Sequence, residues 1–314
     1  MLLHVGYHKT ATTWLQQNLF FAPGSETFHA FTPDVGRPRA LTERFLLAPD
    51  GGMLSAFDDN RAEIRAAVAA AHEATQGLPG TPVLSDERLS GNPHSGGFDA
   101  ERIARALREH LPDAEVLIVV REQKSLTLSC YFQYLSIGGT RSLQNYAQDR
   151  YDRRVPGFSL ANLDFLPLVE RYRELWGPER VTVLPYELFA ESPRRFLDRL
   201  ERIVGREIEV PQSTAAAREN ANRRPGAAYS LRWLNRFRCC SSVNDYSPWS
   251  TPLTSTLAEV AYRALAKLRL TATDARVMRR LRAELEARIG DRFRASNARL
   301  SELCELDLAR YGYC

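Results

Sequence analysis

Lysine is almost missing from this 314-residue chain: of 42 lysines and arginines, only Lys9, Lys124 and Lys267 are lysines. Arginine supplies nearly all the positive charge, so a lysine inside a threonine-rich loop marks a place where a compact ammonium is wanted. Cysteine is scarce as well. Cys130, Cys239, Cys240, Cys304 and Cys314 form no Cys-x-x-Cys pair, and their number is odd. Free thiols in a reducing, cytoplasmic compartment are the simplest reading. No apolar run approaches the roughly 20 residues of a membrane span. The opening Met1-Leu-Leu-His-Val-Gly6 has neither a basic stretch nor a cleavage site, so no signal peptide is expected. A dense basic run is also lacking, and the net charge is only +4; no nucleic-acid partner is expected.

What is present is an ordinary globular composition, 44% hydrophobic and 25% charged. Leu2-Leu-His-Val-Gly6 reads as a strand, and 12–20 has helical spacing. Residues 22–57 are rich in Pro, Gly and Phe and carry only a short helix near 39–47. A helix capped by Asp58 or Asp59 runs to about Thr75, Thr81-Pro-Val-Leu-Ser85 is a strand, and Asp99 caps a helix to about His110. Ala114-Glu-Val-Leu-Ile-Val-Val120 is an unbroken apolar run, as a parallel strand buried on both faces requires. A helix at 124–137, a strand at 181–185 and a helix at 193–204 follow. From about Gly226 only helical patterns remain, at 227–237, 253–268, 273–288 and 291–306. The expected fold is one α/β domain over residues 1–314. Its P-loop-type parallel sheet occupies about 1–210, and a helical extension occupies 226–314.

The first chemical motif is Gly6-Tyr-His-Lys9-Thr-Ala-Thr12-Thr13-Trp14. A loop from a strand into a helix N-terminus gathers backbone N–H groups and the positive dipole end at one point, which is an anion site. Lys9 adds a full charge, and Thr12 and Thr13 add hydroxyl donors. The spacing is not the Gly-x-x-x-x-Gly-Lys-Ser/Thr of nucleotide triphosphatases. The second motif is Val119-Val120-Arg121 with Ser129 eight residues on. It sets a guanidinium fork and a hydroxyl beyond the carboxyl end of a strand, where open sheets bind ligands.

Together these residues resemble the family of sulfotransferases that use 3'-phosphoadenosine 5'-phosphosulfate (PAPS). Lys9-Thr-Ala-Thr-Thr-Trp14 is similar to that family's 5'-phosphosulfate loop, with Ala11 where glycine is usual. Val120-Arg121 with Ser129 is similar to its 3'-phosphate element. Leu184-Pro-Tyr186-Glu187-Leu-Phe-Ala-Glu-Ser-Pro193 is similar to its later Tyr-Glu-Asp-Leu segment. The resemblance spans residues 1 to about 193. It implies that Lys9, Thr10, Ala11, Thr12 and Thr13 hold the phosphosulfate, and that Trp14 and Tyr186 contact adenine. Arg121 and Ser129 would read the 3'-phosphate, with Arg223 or Arg224 as a further contact. The family's strand-end base falls at Val83-Leu-Ser-Asp86-Glu87-Arg88, which makes Glu87 the first candidate, Asp86 the second and His8 the third. The implied reaction moves a sulfuryl group to a hydroxyl or amine of a glycan, lipid or small molecule, without a metal. The acceptor is expected among residues 22–57, 88–98, 138–160 and the C-terminal helices, near aromatics such as Phe31, Phe45, Tyr131, Tyr134, Tyr146 and Trp249. Two other readings stand beside it: a magnesium-dependent kinase using Asp86 and Glu87, and a nucleotide-binding protein without catalysis.

Overall fold

The computed structural model describes residues 1–46, 54–148, 157–209, 225–239, 244, 247, 249–267 and 271–313. Five strands, β1 (Leu2–Gly6), β2 (Phe28–Ala30), β3 (Thr81–Asp86), β4 (Glu115–Val120) and β5 (Val181–Pro185), form one sheet in the order β2-β3-β1-β4-β5. Every neighbouring pair is parallel. Leu2, Leu3, Val116, Leu117, Ile118 and Val120 are fully buried, as central strands covered on both faces must be.

The helices are α1 (Thr12–Leu15, running on as a π-helical turn Gln16–Phe20), α2 (Ala40–Leu46), α3 (Leu54–Thr75), α4 (Ala100–His110), α5 (Gln123–Ser136) and α6 (Leu143–Tyr146). They continue as α7 (Phe165–Trp176), α8 (Tyr186–Glu191), α9 (Pro193–Val204), α10 (Pro225–Leu234), α11 (Pro252–Lys267), α12 (Thr271–Ile289) and α13 (Arg294–Cys304). One face of the sheet carries the smaller core, where Trp14, Phe20 and Phe28 pack with Phe189 and Phe196 of α8 and α9. The other face carries the larger core. It runs from β1 through α4, α5 and α7 to Leu281 and Leu285 of α12, Phe293 at the N-cap of α13 and Leu300 of α13. The C-terminal helices therefore share the sheet's core: Asn297 of α13 accepts a 2.7 Å hydrogen bond from Gln123 of α5.

Strand β1 lies between β3 and β4, so the chain passes from one side of β1 to the other after β3. This is the switch point of an open parallel sheet, and the crevice outside the carboxyl ends of β1 and β4 is where such sheets take ligands. Three expectations change. The helix expected to start at Asp58 or Asp59 already begins at Leu54. Asp99 stands at the N-cap of α4, yet its Oδ1 accepts from the Asn92 N–H at 3.0 Å and makes no cap bond. Phe31, Phe45, Tyr131, Tyr134 and Tyr146, expected near the acceptor, are packed in the larger core.

Candidate nucleotide and acceptor site

The loop after β1 is tightly constrained. Lys9 and Ala11 both adopt left-handed backbone, with φ of 65° and 64°, a conformation that costs an L-residue about 1–2 kcal/mol. Thr10 Oγ1 ties the turn by donating to the Tyr7 carbonyl at 2.5 Å. A Cβ added at Gly6 would stand 2.6 Å from Thr12 Oγ1, so the loop can fold back over the strand end only because that residue is glycine. The left-handed Ala11 followed by the helical Thr12 turns successive N–H groups inward, the geometry of an anion nest. Helix α1 has no side-chain cap. Thr12 is 4% exposed, and its Oγ1 has no hydrogen-bond partner.

The structure brings the distant motifs onto this loop. Arg121 follows β4 directly, and its Nη1 donates to the Lys9 carbonyl at 2.7 Å, across 112 residues of sequence. Its guanidinium lies 4.6 Å from the ring centroid of Tyr186, the first residue after β5, a cation–π contact that fixes the fork. Arg121 Nε is buried without a partner. Ser129 is half-buried on α5. Its neighbour Cys130 is fully buried, and burial pushes that thiol up to about 12 even in the field of Lys9 and Arg121. Trp14 packs at 4.8 Å against Phe189 and is 6% exposed, within the smaller core. Arg223 and Arg224 lie outside the described residues.

The two carboxylates after β3 part company. Asp86 is fully buried: its Oδ2 accepts from Arg39 Nε at 2.9 Å and again from Arg39 Nη2, and its Oδ1 caps the Arg88 N–H at 2.9 Å. Glu87 is half-exposed at the start of a 3-10 turn, Glu87–Ser90. That turn is held against β1 by Ser90 Oγ, which donates to the Gly6 carbonyl at 3.2 Å. Beside Arg39, a polar cleft of about 680 Å³ is lined by Asp34, Arg37, Glu43, Arg44 and Glu63 among others.

A second imidazole was not read from the sequence. His94, in the short turn Pro93–Ser95, bonds the Tyr146 hydroxyl through Nδ1 at 3.2 Å, and its Nε2 is buried without a partner. Burial, then the charges of His94, Lys9 and Arg88, hold His8 down at about 3; burial and Lys9 hold His94 at about 4. Both rings are neutral near pH 7, and the burial that keeps them neutral makes each a weak base. Under the loop, His4 is fully buried with Nδ1 2.7 Å from Ser85 Oγ, and Gln16 donates to the Ser85 carbonyl at 2.8 Å. Behind Arg121, Glu187 accepts from the Glu122 N–H at 3.1 Å and from Tyr313 Oη at 2.9 Å.

These groups fit the anionic part of a phosphorylated nucleotide. An ammonium, a guanidinium with an unused N–H, an uncapped helix start and an orphaned buried hydroxyl meet at the carboxyl ends of β1 and β4. For the base, Tyr186 is accessible in part, whereas Trp14 is core.

No protein-family model matches the chain, and no curated protein does. Among solved structures, a sulfotransferase from Alicyclobacillus acidocaldarius is similar over 87% of this chain and 97% of its own, at 17% identity and a TM-score of 0.49. Among the described residues, no helix is long and apolar enough to cross a membrane.

Proposed function

We propose that this protein is a cytoplasmic sulfotransferase that moves the sulfuryl group of PAPS onto a hydroxyl or amine of a glycan, lipid or small-molecule acceptor. The observation that carries the reading is the Arg121–Lys9 contact. It joins the two motifs proposed to bind the two ends of one nucleotide. In this reading Lys9, the 10–13 backbone and the Thr12 and Thr13 hydroxyls hold the phosphosulfate, and Lys9 stabilises the charge on the leaving phosphate. Arg121 and Ser129 read the 3'-phosphate, with Arg223 or Arg224 as the candidate further contact, and Tyr186 meets adenine. PAPS supplies an activated sulfuryl group, so the chain's own work is positioning, charge stabilisation and removal of the acceptor proton.

Glu87 is the proposed base. It is half-exposed at the strand end, while Asp86, one residue earlier, is already saturated by Arg39 and the Arg88 N–H. The same saturation weakens the kinase reading, which needs Asp86 as a metal ligand. The decisive experiment is transfer of labelled sulfate from PAPS to an extract of the source cell, with and without excess EDTA. A labelled product formed equally in both supports the reading. Phosphate transfer from ATP restored by magnesium, or product-nucleotide binding without any turnover, replaces it.

A further inference from the structure

Nine large apolar side chains are exposed among the described residues, and six of them fall in one stretch: Trp233, Phe237, Trp249, Leu253, Leu257 and Val260. Helix α11 is turned inside out. Leu253, Leu257 and Val260, at helical spacing on one side, are 69%, 58% and 59% exposed, while the buried position is the small Ala258. A helix that only needed to cover the core would show the reverse. Its start is pinned to the 3-10 turn Asn235–Phe237 that follows α10. The hydroxyls of Thr254 and Ser255 donate to the Phe237 carbonyl at 3.2 and 3.4 Å, and Thr254 Oγ1 also donates to Trp249 at 2.9 Å. Phe237, Trp249 and Leu253 thus gather at one junction, with Trp233 one helical turn before Phe237.

The charge around this face decides its occupant. Between residues 225 and 267 the sequence carries Arg232, Arg236, Arg238, Arg263 and Lys267 against Asp245 and Glu259. Glu259 is already engaged by Arg238 at 2.7 Å and Arg263 at 3.1 Å. The guanidiniums of Arg232 and Arg236 lie over the exposed indole of Trp233, at 5.1 and 4.5 Å. A two-fold contact with a second copy would set this cationic fringe against itself. Aliphatic side chains and indoles inside a fringe of arginine and lysine match the boundary between acyl chains and anionic headgroups.

We propose that the α10–α11 face docks the protein on the surface of an anionic lipid bilayer. Leu253, Leu257, Val260 and the two indoles sit at the acyl boundary, and Arg236, Arg263 and Lys267 sit among the headgroup phosphates. This stands apart from the reading of the nucleotide site. The test is flotation of the full chain with phosphatidylcholine vesicles, with and without phosphatidylglycerol. Binding should require the anionic lipid and fall with added salt. Leu257→Asp should weaken it about tenfold or more, and Arg236→Gln or Lys267→Gln about fivefold each. These positions are exposed, so thermal unfolding should be unchanged in all three. Trp233→Ala should reduce the blue shift of indole fluorescence on vesicle addition. Equal partition to neutral and anionic vesicles, or no flotation, overturns the proposal. So does a dimer in solution that Leu257→Asp dissociates, which would make a second copy the occupant.

Discussion

The segments that leave β1 and β3 start from neighbouring parallel strands, with Val5 in register with Asp86, and they end in opposite chemistry. After β1 the chain places two L-residues in left-handed backbone and leaves a helix start uncapped; it stores strain and concentrates donors. After β3 the chain falls at once into a capped 3-10 turn with its buried carboxylate fully bonded; it is relaxed and presents one half-exposed acceptor group, Glu87. Strain and unused donors mark the side proposed to hold an anion, and satisfied bonding marks the side proposed to position a base.

The largest expected effect breaks the second side. Glu87→Gln should lower turnover by roughly 10²–10⁴-fold and leave product-nucleotide affinity nearly unchanged. Asp86→Asn should instead cost about 1–3 kcal/mol of stability through its lost bonds to Arg39 and the Arg88 N–H. Steady-state kinetics and thermal unfolding of both variants check this. If Asp86→Asn abolishes turnover in a folded protein and Glu87→Gln does not, the roles are exchanged. If neither lowers turnover, the proton goes to His8 or His94.

A smaller effect sharpens the first side. Arg121→Ala should weaken the product nucleotide about ten- to a hundredfold, and its 3'-dephospho analogue far less. Ser129→Ala should act in the same direction by only about 0.5–1.5 kcal/mol. Titration calorimetry with both nucleotides separates them. Equal losses would mean that Arg121 serves only to brace the Lys9 carbonyl.

Beneath both segments, burial holds His4 at about 3, His8 at about 3 and His94 at about 4, below the ordinary 6.5. Between pH 6.5 and about 4 the unfolded chain binds protons that the folded chain excludes. This stability is therefore complete above about 6.5 and is lost as the pH falls. Thermal unfolding at pH 7 and pH 5 should show a loss on the order of 1–2 kcal/mol per histidine, and His94→Gln should flatten the slope. An unchanged melting temperature across that window would contradict the burial.

The smallest effect tests the strain itself. Ala11→Gly removes the Cβ penalty at φ 64° while loosening the unfolded chain, a net gain of up to about 1 kcal/mol. A loss of stability instead would show that the Ala11 methyl, packed against the smaller core, matters more than the backbone.

The sheet was largely legible. The runs read as ending at Gly6, Ser85, Val120 and Pro185 appear as strands within a residue or so, because a strand buried on both faces must be largely apolar. The edge strand β2 was not, since Phe28-His-Ala30 is three residues long and pairs on one side only. Helix α7 was hidden by Pro167, which sits in its first turn, where no intrahelical N–H bond is lost. Lys9, Arg121, Ser129, Tyr186 and Glu87 could be picked out because each follows a strand end or a motif of fixed spacing. Sequence by itself thus determined the parallel sheet, the loop chemistry and the candidate residues, since apolar periodicity and local donor spacing are properties of short segments.

Only the tertiary structure decided which groups share a space. It laid Arg121 on the Lys9 carbonyl and Tyr186 beneath the guanidinium, and it spent Asp86 on Arg39. It also put Trp14 into the core and turned the apolar side of α11 outward. Those outcomes depend on contacts between residues tens to more than a hundred positions apart. No local pattern encodes them, because burial and pairing are fixed by whatever the rest of the chain brings alongside.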